Sequence, residues 1–270
     1  MRVDDQSWLD RIQNYSSTID RWRERSKSVP ATQSGSPFIG DEKYGLKTST
    51  SSWYSIAVST EYLSFTVDSM KALSTIYPTV YMTVLRTAYI AAVNAVWLMA
   101  PAERRVRVKR ALRFQINDLN EYTKYTNGLG ASGQFPEALQ NSLSSLETSR
   151  ESLRKVADKL EIPNDLSRLR FIQTEAVNWV ANYLDDQDPL LISAYNSLWR
   201  SGSAAAHAQP YFGLTRINVD EINPDGKGGG EAYLRGDLAN DVGPAFAGVF
   251  LVLDKAFQLY DQRRSSFQNL

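Results

Sequence analysis

The sequence predicts a mainly α fold: a multi-helix bundle with one long helical hairpin and a small β-hairpin or loop excursion near 211–235. Three observations carry that reading. Apolar residues recur at steps of three and four over most of the 270 positions, which is the period of an amphipathic helix and not the alternation of a strand. Prolines and glycine-rich breaks fall between the periodic stretches rather than inside them. Sequence that is both β-prone and punctuated by turn residues is confined to a short region after Pro210.

Taken in order, residues 4–26 place Trp8, Ile12, Tyr15, Ile19 and Trp22 on one narrow face. This N-terminal amphipathic helix, residues 1–26 with its flanks, needs a surface to dock on, either the body of the chain or a partner. Residues 27–50, rich in Ser, Gly, Pro and Thr, read as a connector. Residues 51–270 then read as a helical bundle domain with a single core. Its first helix, 51–76, carries Trp53, Ile56, Leu63, Val67, Met70 and Leu73 on one face and stops before Pro78.

The next helix, 79–100, is apolar nearly all round, as suits the middle of a bundle. It has the length of a membrane span, but Arg86 and Asn94 interrupt it, and charge in a bilayer is costly. The reading is a buried core helix and no membrane. Pro101 opens a basic helix with Val108, Leu112, Leu119 and Tyr122 facing inward. Arg104, Arg105, Arg107, Lys109, Arg110 and Arg113 spread around the rest as a solvated face, with a phosphate-tracking face as the alternative. After a glycine-rich break, Leu139, Leu143, Leu146, Leu153 and Leu160 repeat near heptad spacing, which predicts a long antiparallel hairpin with the basic helix.

Pro163, Asn164 and Asp165 are expected to cap a helix over 165–185. An acidic corner (Asp185, Asp186, Asp188), read as a turn rather than a cation site, leads into a helix from Leu190. Beyond Pro210, the pieces FGLTRINV (212–219) and EAYL (231–234) are β-prone and are separated by NPDGKGGG. That linker is no P-loop, because the lysine is not followed by Ser or Thr. Residues 238–264 return to helix, with Phe246, Val249, Phe250, Leu253, Phe257 and Tyr260 on the apolar side.

Composition narrows the chemistry. Thirty basic and thirty acidic residues cancel, so a nucleic-acid role has to come from a local patch. The absence of cysteine removes disulfides, thiolate zinc sites and a cysteine nucleophile, and fits a reducing cytoplasm. One histidine cannot build a multi-histidine metal centre within one chain. Neither a metal nor a cofactor is expected, and the polar N-terminus is not a secretory signal.

The functional reading centres on YNSLWRSGSAAAHAQPYF (195–212), which holds the single histidine, His207, seven residues after Arg200. On a helix that spacing puts both on one face, about 10 Å apart along the axis. An imidazole can move protons at the 2′-hydroxyl or the leaving oxygen of RNA, and a guanidinium can neutralise charge building on the phosphate. Ser201, Ser203 and Tyr211 are auxiliary donors to substrate. Arg86, an isolated charge in an apolar helix, should pair with a carboxylate such as Glu61 or Glu175, or else line the same cleft as His207. The competing structural reading is that His207 caps a helix end and that Gly202 to Ala206 are small so that two helices can approach closely.

Arginine, six intervening residues and then histidine resembles the signature of the HEPN family of helical bundles, at the upper limit of its spacing. The resemblance implies metal-independent RNA cleavage or binding, a homodimer with two motifs facing across a cleft, and a place in phage defence or a toxin–antitoxin pair with an antitoxin partner. The chain departs from the family at Ser201, where active members usually have Asn, Asp or His. Residues 79–113 (TVLRTAYIAAVNAVWLMAP and the arginine-rich helix) and LWRSGSAAAHAQPYF also look like a group of uncharacterised actinobacterial and phage proteins. A non-enzymatic helical module that binds a protein partner in a phage or defence context is the alternative of a different class.

Overall fold

The computed structural model describes residues 3–73, 77–130, 136–162, 169–185, 188–214, 216, 223–224, 230–231 and 237–266. The fold is all-α, with eleven α-helices among the described residues. They cluster into two compact units, one made of Met1–Val29, Trp53–Val96 and Glu175–Phe257, the other of Pro30–Ser52, Trp97–Thr174 and Gln258–Leu270.

In the first unit, the predicted N-terminal helix is two helices, α1 (Val3–Asn14) and α2 (Ser16–Ser26), interrupted at Tyr15. Both dock on the body of the chain. Trp8 of α1 lies where a Cβ on Gly243 would stand, and Asp5 accepts a hydrogen bond from Ala239 N at 3.2 Å. The Tyr15 ring packs 4.3 Å from Phe250, and Trp22 stacks on Phe257 at 5.1 Å. Trp53, from the part of α4 (Thr48–Ala72) in this unit, meets Phe257 edge-on. Aromatic pairs of this kind add about 0.5–1.5 kcal/mol each beyond the area they bury.

Helix α5 (Pro78–Met99) runs through the core with Leu85, Ala88, Tyr89, Ala92, Val93 and Val96 fully buried. It and Leu238–Arg264 are long and apolar enough to cross a membrane by length and composition, and 67% and 56% of those windows are buried within the protein. Helices α8 (Gln173–Leu184), α9 (Pro189–Ala206) and the short α10 (Pro210–Leu214) follow. A π-helical turn, Leu238–Val242, leads into α11 (Gly243–Arg264).

Two expectations shift here. Helix α8 begins at Gln173, not 165, and Leu169 and Ile172 precede it in non-helical backbone; the Pro163–Asn164–Asp165 cap lies outside the described residues. The β excursion is a two-residue antiparallel pair, Asn223 with Glu231 and Pro224 with Gly230. It falls within the stretch read as the linker and its edge, while 212–214 is helical: Pro210 opens a helical turn and Phe212 is buried beneath it.

The second unit is built on the predicted hairpin of α6 (Arg104–Gly130) and α7 (Pro136–Lys159). The pairing is antiparallel: Arg105 near the start of α6 reaches Leu160 O past the end of α7, and Arg150 reaches Thr123. Val108, Leu112 and Leu119 of α6 and Leu146, Leu153 and Val156 of α7 are buried, while Tyr122, expected to face inward, is exposed. The stretch expected to be a connector holds α3 (Pro37–Glu42), with Ser36 capping Ile39 N and Phe38 fully buried against Tyr260. It also supplies Asp41. Arg107, expected on the solvated basic face, is instead 3% exposed and grips the buried Asp41 carboxylate with Nε at 2.7 Å and Nη2 at 2.8 Å. Its Nη1 donates to Pro101 O and Ala102 O. A guanidinium can enter the interior when each of its edges meets an acceptor.

Candidate functional site

Helix α9 is set by its ends. Asp188 takes the N-cap position, its Oδ1 accepting from Leu190 N at 2.8 Å, and Pro189 supplies the preset first turn. At the other end the chain closes in a Schellman motif: Gln209 N donates to Ala204 O at 2.9 Å, Ala208 N to Ala205 O at 3.2 Å, and Ala208 takes φ +50°. His207 is therefore the C-cap residue, directly before a left-handed alanine, and Pro210 follows.

Arg200 and His207 are both exposed, and neither side chain makes a hydrogen bond or ion pair among the described residues. With α9 regular to Ala206, they leave one face of the helix about 10 Å apart along its axis. His207 is not packed among the alanines: Ala204 and Ala205 are buried, while Ala206 and Ala208, on either side of it, are exposed.

The small residues behind that face serve a close crossing. A Cβ on Gly202 would stand 2.5 Å from Arg86 Cβ and 3.0 Å from Met82 O, so α5 and α9 approach as they do only because position 202 has no side chain. Over that contact the Arg86 stem runs out, and its Nε donates to Ser203 Oγ at 2.8 Å. The expected carboxylate partner is thus a serine hydroxyl, and no carboxylate pairs with Arg86 among the described residues. A half-buried guanidinium with one neutral partner keeps its charge uncompensated, which water at its exposed edge makes tolerable.

Ser201 turns the other way. It lines a cavity of about 370 Å³ between α9, the π-helical turn and α11, where Tyr195, Leu198, Asp241 and Gly248 also contribute. Asp241 in that wall is held by Arg216 Nη2 at 2.9 Å, and the Arg216 guanidinium lies 3.8 Å over the Phe212 ring. Tyr195 stacks parallel to Tyr89 at 6.4 Å. Burial, then the Asp185 charge, raises the Tyr195 pKa; burial, then Tyr195, raises that of Tyr89, whose buried hydroxyl has no partner among the described residues. Tyr211 is exposed on α10.

The six residues picked from sequence therefore divide. Arg200 and His207 share the outer face, Arg86 and Ser203 bond to each other, Ser201 faces the cavity, and Tyr211 stands in solvent on the next helix. The cavity itself escaped the sequence reading, because its lining comes from segments far apart in the chain, Met82, residues 191–201 and residues 240–251, and no local pattern joins them. No group of three or more His, Asp or Glu among the described residues is placed to hold a metal ion. Compared with protein-family models, with curated proteins and with solved structures, the chain matches none.

Proposed function

We propose that this chain is a HEPN-like protein that binds RNA and cleaves it without a metal, with Arg200 holding the scissile phosphate and His207 moving the proton. The observation that carries the reading is the pair itself: a guanidinium and the one imidazole of the chain, both exposed and uncommitted on one face at the end of α9. His207 is also the C-cap residue of α9, but it caps through its backbone, and its exposed imidazole bonds none of the described residues. Arg86 and Ser203 bond to each other next to that face, and on this reading a second copy sets its own pair opposite the first. A cytoplasmic place in phage defence, with an antitoxin-like partner, follows from the same reading.

The test uses the purified full chain on a fluorescent single-stranded RNA in EDTA. Cleavage is expected for the wild type, with a loss of about 100-fold or more in His207→Ala, the usual contribution of a proton-transferring side chain. Arg200→Ala should also weaken RNA binding. Neither change should move the melting temperature, since both side chains are exposed. A wild type that neither cuts nor binds RNA ends this reading. The protein-binding alternative is favoured by one observation, the cavity flanked by the exposed Leu191 and Leu251; on that reading the variants would be silent and the mutation Leu251→Asp would abolish partner capture.

A further inference from the structure

Helix α4 is apolar on two opposite sides. Trp53, Ile56, Leu63, Val67 and Met70 lie on its inner side and are buried, as are Ser55, Ser59, Thr60, Ser64 and Thr66. The outer side, where a solvated helix carries charge, has Tyr54, Val58, Tyr62 and Phe65 at steps of four, four and three. Tyr54 is 70% exposed and Phe65 54%, and Tyr62 and Leu73 are exposed beside them. Leu73 closes the row, since its N donates to Ser69 O at 2.9 Å and carries the helical turn one residue past Ala72. The row lies wholly within the first unit.

Large apolar side chains repeated along about 28 Å of helix form a docking stripe rather than a scatter of surface residues. The uncovered area is roughly 400–500 Å² on the scale of an aromatic side chain. Two copies laid face to face would therefore bury about 1,000 Å², the threshold of specific pairing. The order of residues reads nearly the same from either end. An antiparallel pair about a two-fold axis between residues 63 and 64 sets Tyr62 against Phe65 of the second copy, Tyr54 against its Leu73 and Val58 against its Ser69. Bulk meets bulk and small meets small.

The charges on the rim fit the same pairing. Glu61 and Asp68 fall on one edge of the row, and in that pairing Glu61 comes within about 3 Å, along the axis, of Asp68 of the second copy. Arg23 of α2 donates to Asp68 at 2.5 Å, which puts a cation where the two acids approach. A lipid surface is the poorer occupant, because an interfacial helix sets lysines and arginines beside its apolar face and this one sets acids there.

We infer that the outer face of α4 is the surface on which two copies of this chain pair, antiparallel about a two-fold axis. The interface is small, so the dimer is a reversible one of about micromolar affinity. It uses neither Arg200 nor His207 and stands whether or not the chain cuts RNA.

Sedimentation velocity of the full chain from about 1 to 200 µM tests this, and a passage from monomer to dimer is expected within that range. Phe65→Glu should raise the dissociation constant about tenfold or more, as a charge at the centre of a small interface does. It should leave the melting temperature in place, because the side chain is exposed. The chain has no cysteine, so disulfide trapping reads the orientation. Oxidation of the double variant Tyr54→Cys with Leu73→Cys should give a covalent dimer, the two positions lying about 28 Å apart within one copy. Tyr54→Cys alone should stay uncrosslinked, because its counterpart stands at the far end of the row. The inference is overturned by a chain that stays monomeric throughout, by a dimer that Phe65→Glu leaves intact, or by Tyr54→Cys cross-linking as readily as the double variant. A dimer indifferent to Phe65→Glu leaves the Arg200–His207 reading untouched, since RNA cleavage is scored separately.

Discussion

Replacing Asp41 by alanine strands a guanidinium in the interior. Arg107 is 3% exposed and Asp41 fully buried, and the two are joined by hydrogen bonds of 2.7 and 2.8 Å. Removing one member of such a pair typically costs about 3–5 kcal/mol, because the remaining charge loses its partner without regaining water. Two acceptors survive, Pro101 O at 3.0 Å and Ala102 O at 2.6 Å, so the lower end of that range applies, about 3 kcal/mol. Arg104, half exposed, simply returns to solvent. For a chain of this size the loss corresponds to a fall in melting temperature on the order of 10 °C. Urea unfolding followed by far-ultraviolet circular dichroism reads the effect. The double variant Asp41→Leu with Arg107→Met should recover most of it, since an apolar pair of similar volume fills the same space without a buried charge. An Asp41→Ala midpoint within about 0.5 kcal/mol of wild type would refute the reasoning.

Three further outcomes follow from the geometry. Gly202→Ala forces a methyl against Arg86 Cβ and Met82 O, and should destabilise by about 1–3 kcal/mol, read as a lowered urea midpoint. Ala208→Gly relieves a left-handed alanine at φ +50° and should stabilise by about 1 kcal/mol, with His207 kept in place; a lower melting temperature would contradict it. At high pH, burial and then Glu42 push Tyr260 up to about 12, and Tyr89 and Tyr195 are raised as well. The folded state holds the neutral phenols more tightly than the unfolded state does, so their contribution is complete below the ordinary value of 10.0 and is lost as pH climbs through about 12. Absorbance at the tyrosinate band should show these phenols ionising only as the fold is lost. Titration of all fourteen tyrosines together near pH 10 would exclude this.

What could be read from the sequence was whatever one helix states about itself. The all-round apolar face of α5, the leucine repeat that pairs α7 with α6, and the seam of Trp8, Ile12, Ile19 and Trp22 each depend on local period, and each is present. Arg107 was misplaced because its partner, 66 residues away, lies in a stretch with no period at all. Helix α8 starts late because Leu169 and Ile172 fit a helical pattern without adopting it. Arg86 stands out in the sequence as a charge in an apolar helix and was expected to meet a carboxylate, but composition cannot say that its partner is a hydroxyl next to the glycine that lets the helices close. Arg200 and His207 were found as a motif, and their shared face follows from α9 continuing to Ala206.

The seat of α1 has a consequence for the order of assembly. Asp5 bonds to Ala239 across 234 residues, and Trp8 rests on Gly243. Closing so wide a span is entropically mild, since each doubling of a loop costs only about 0.6 kcal/mol, but it comes late. On the ribosome α1 and α2 must wait, with Trp8 and Trp22 uncovered, until α11 has been synthesised.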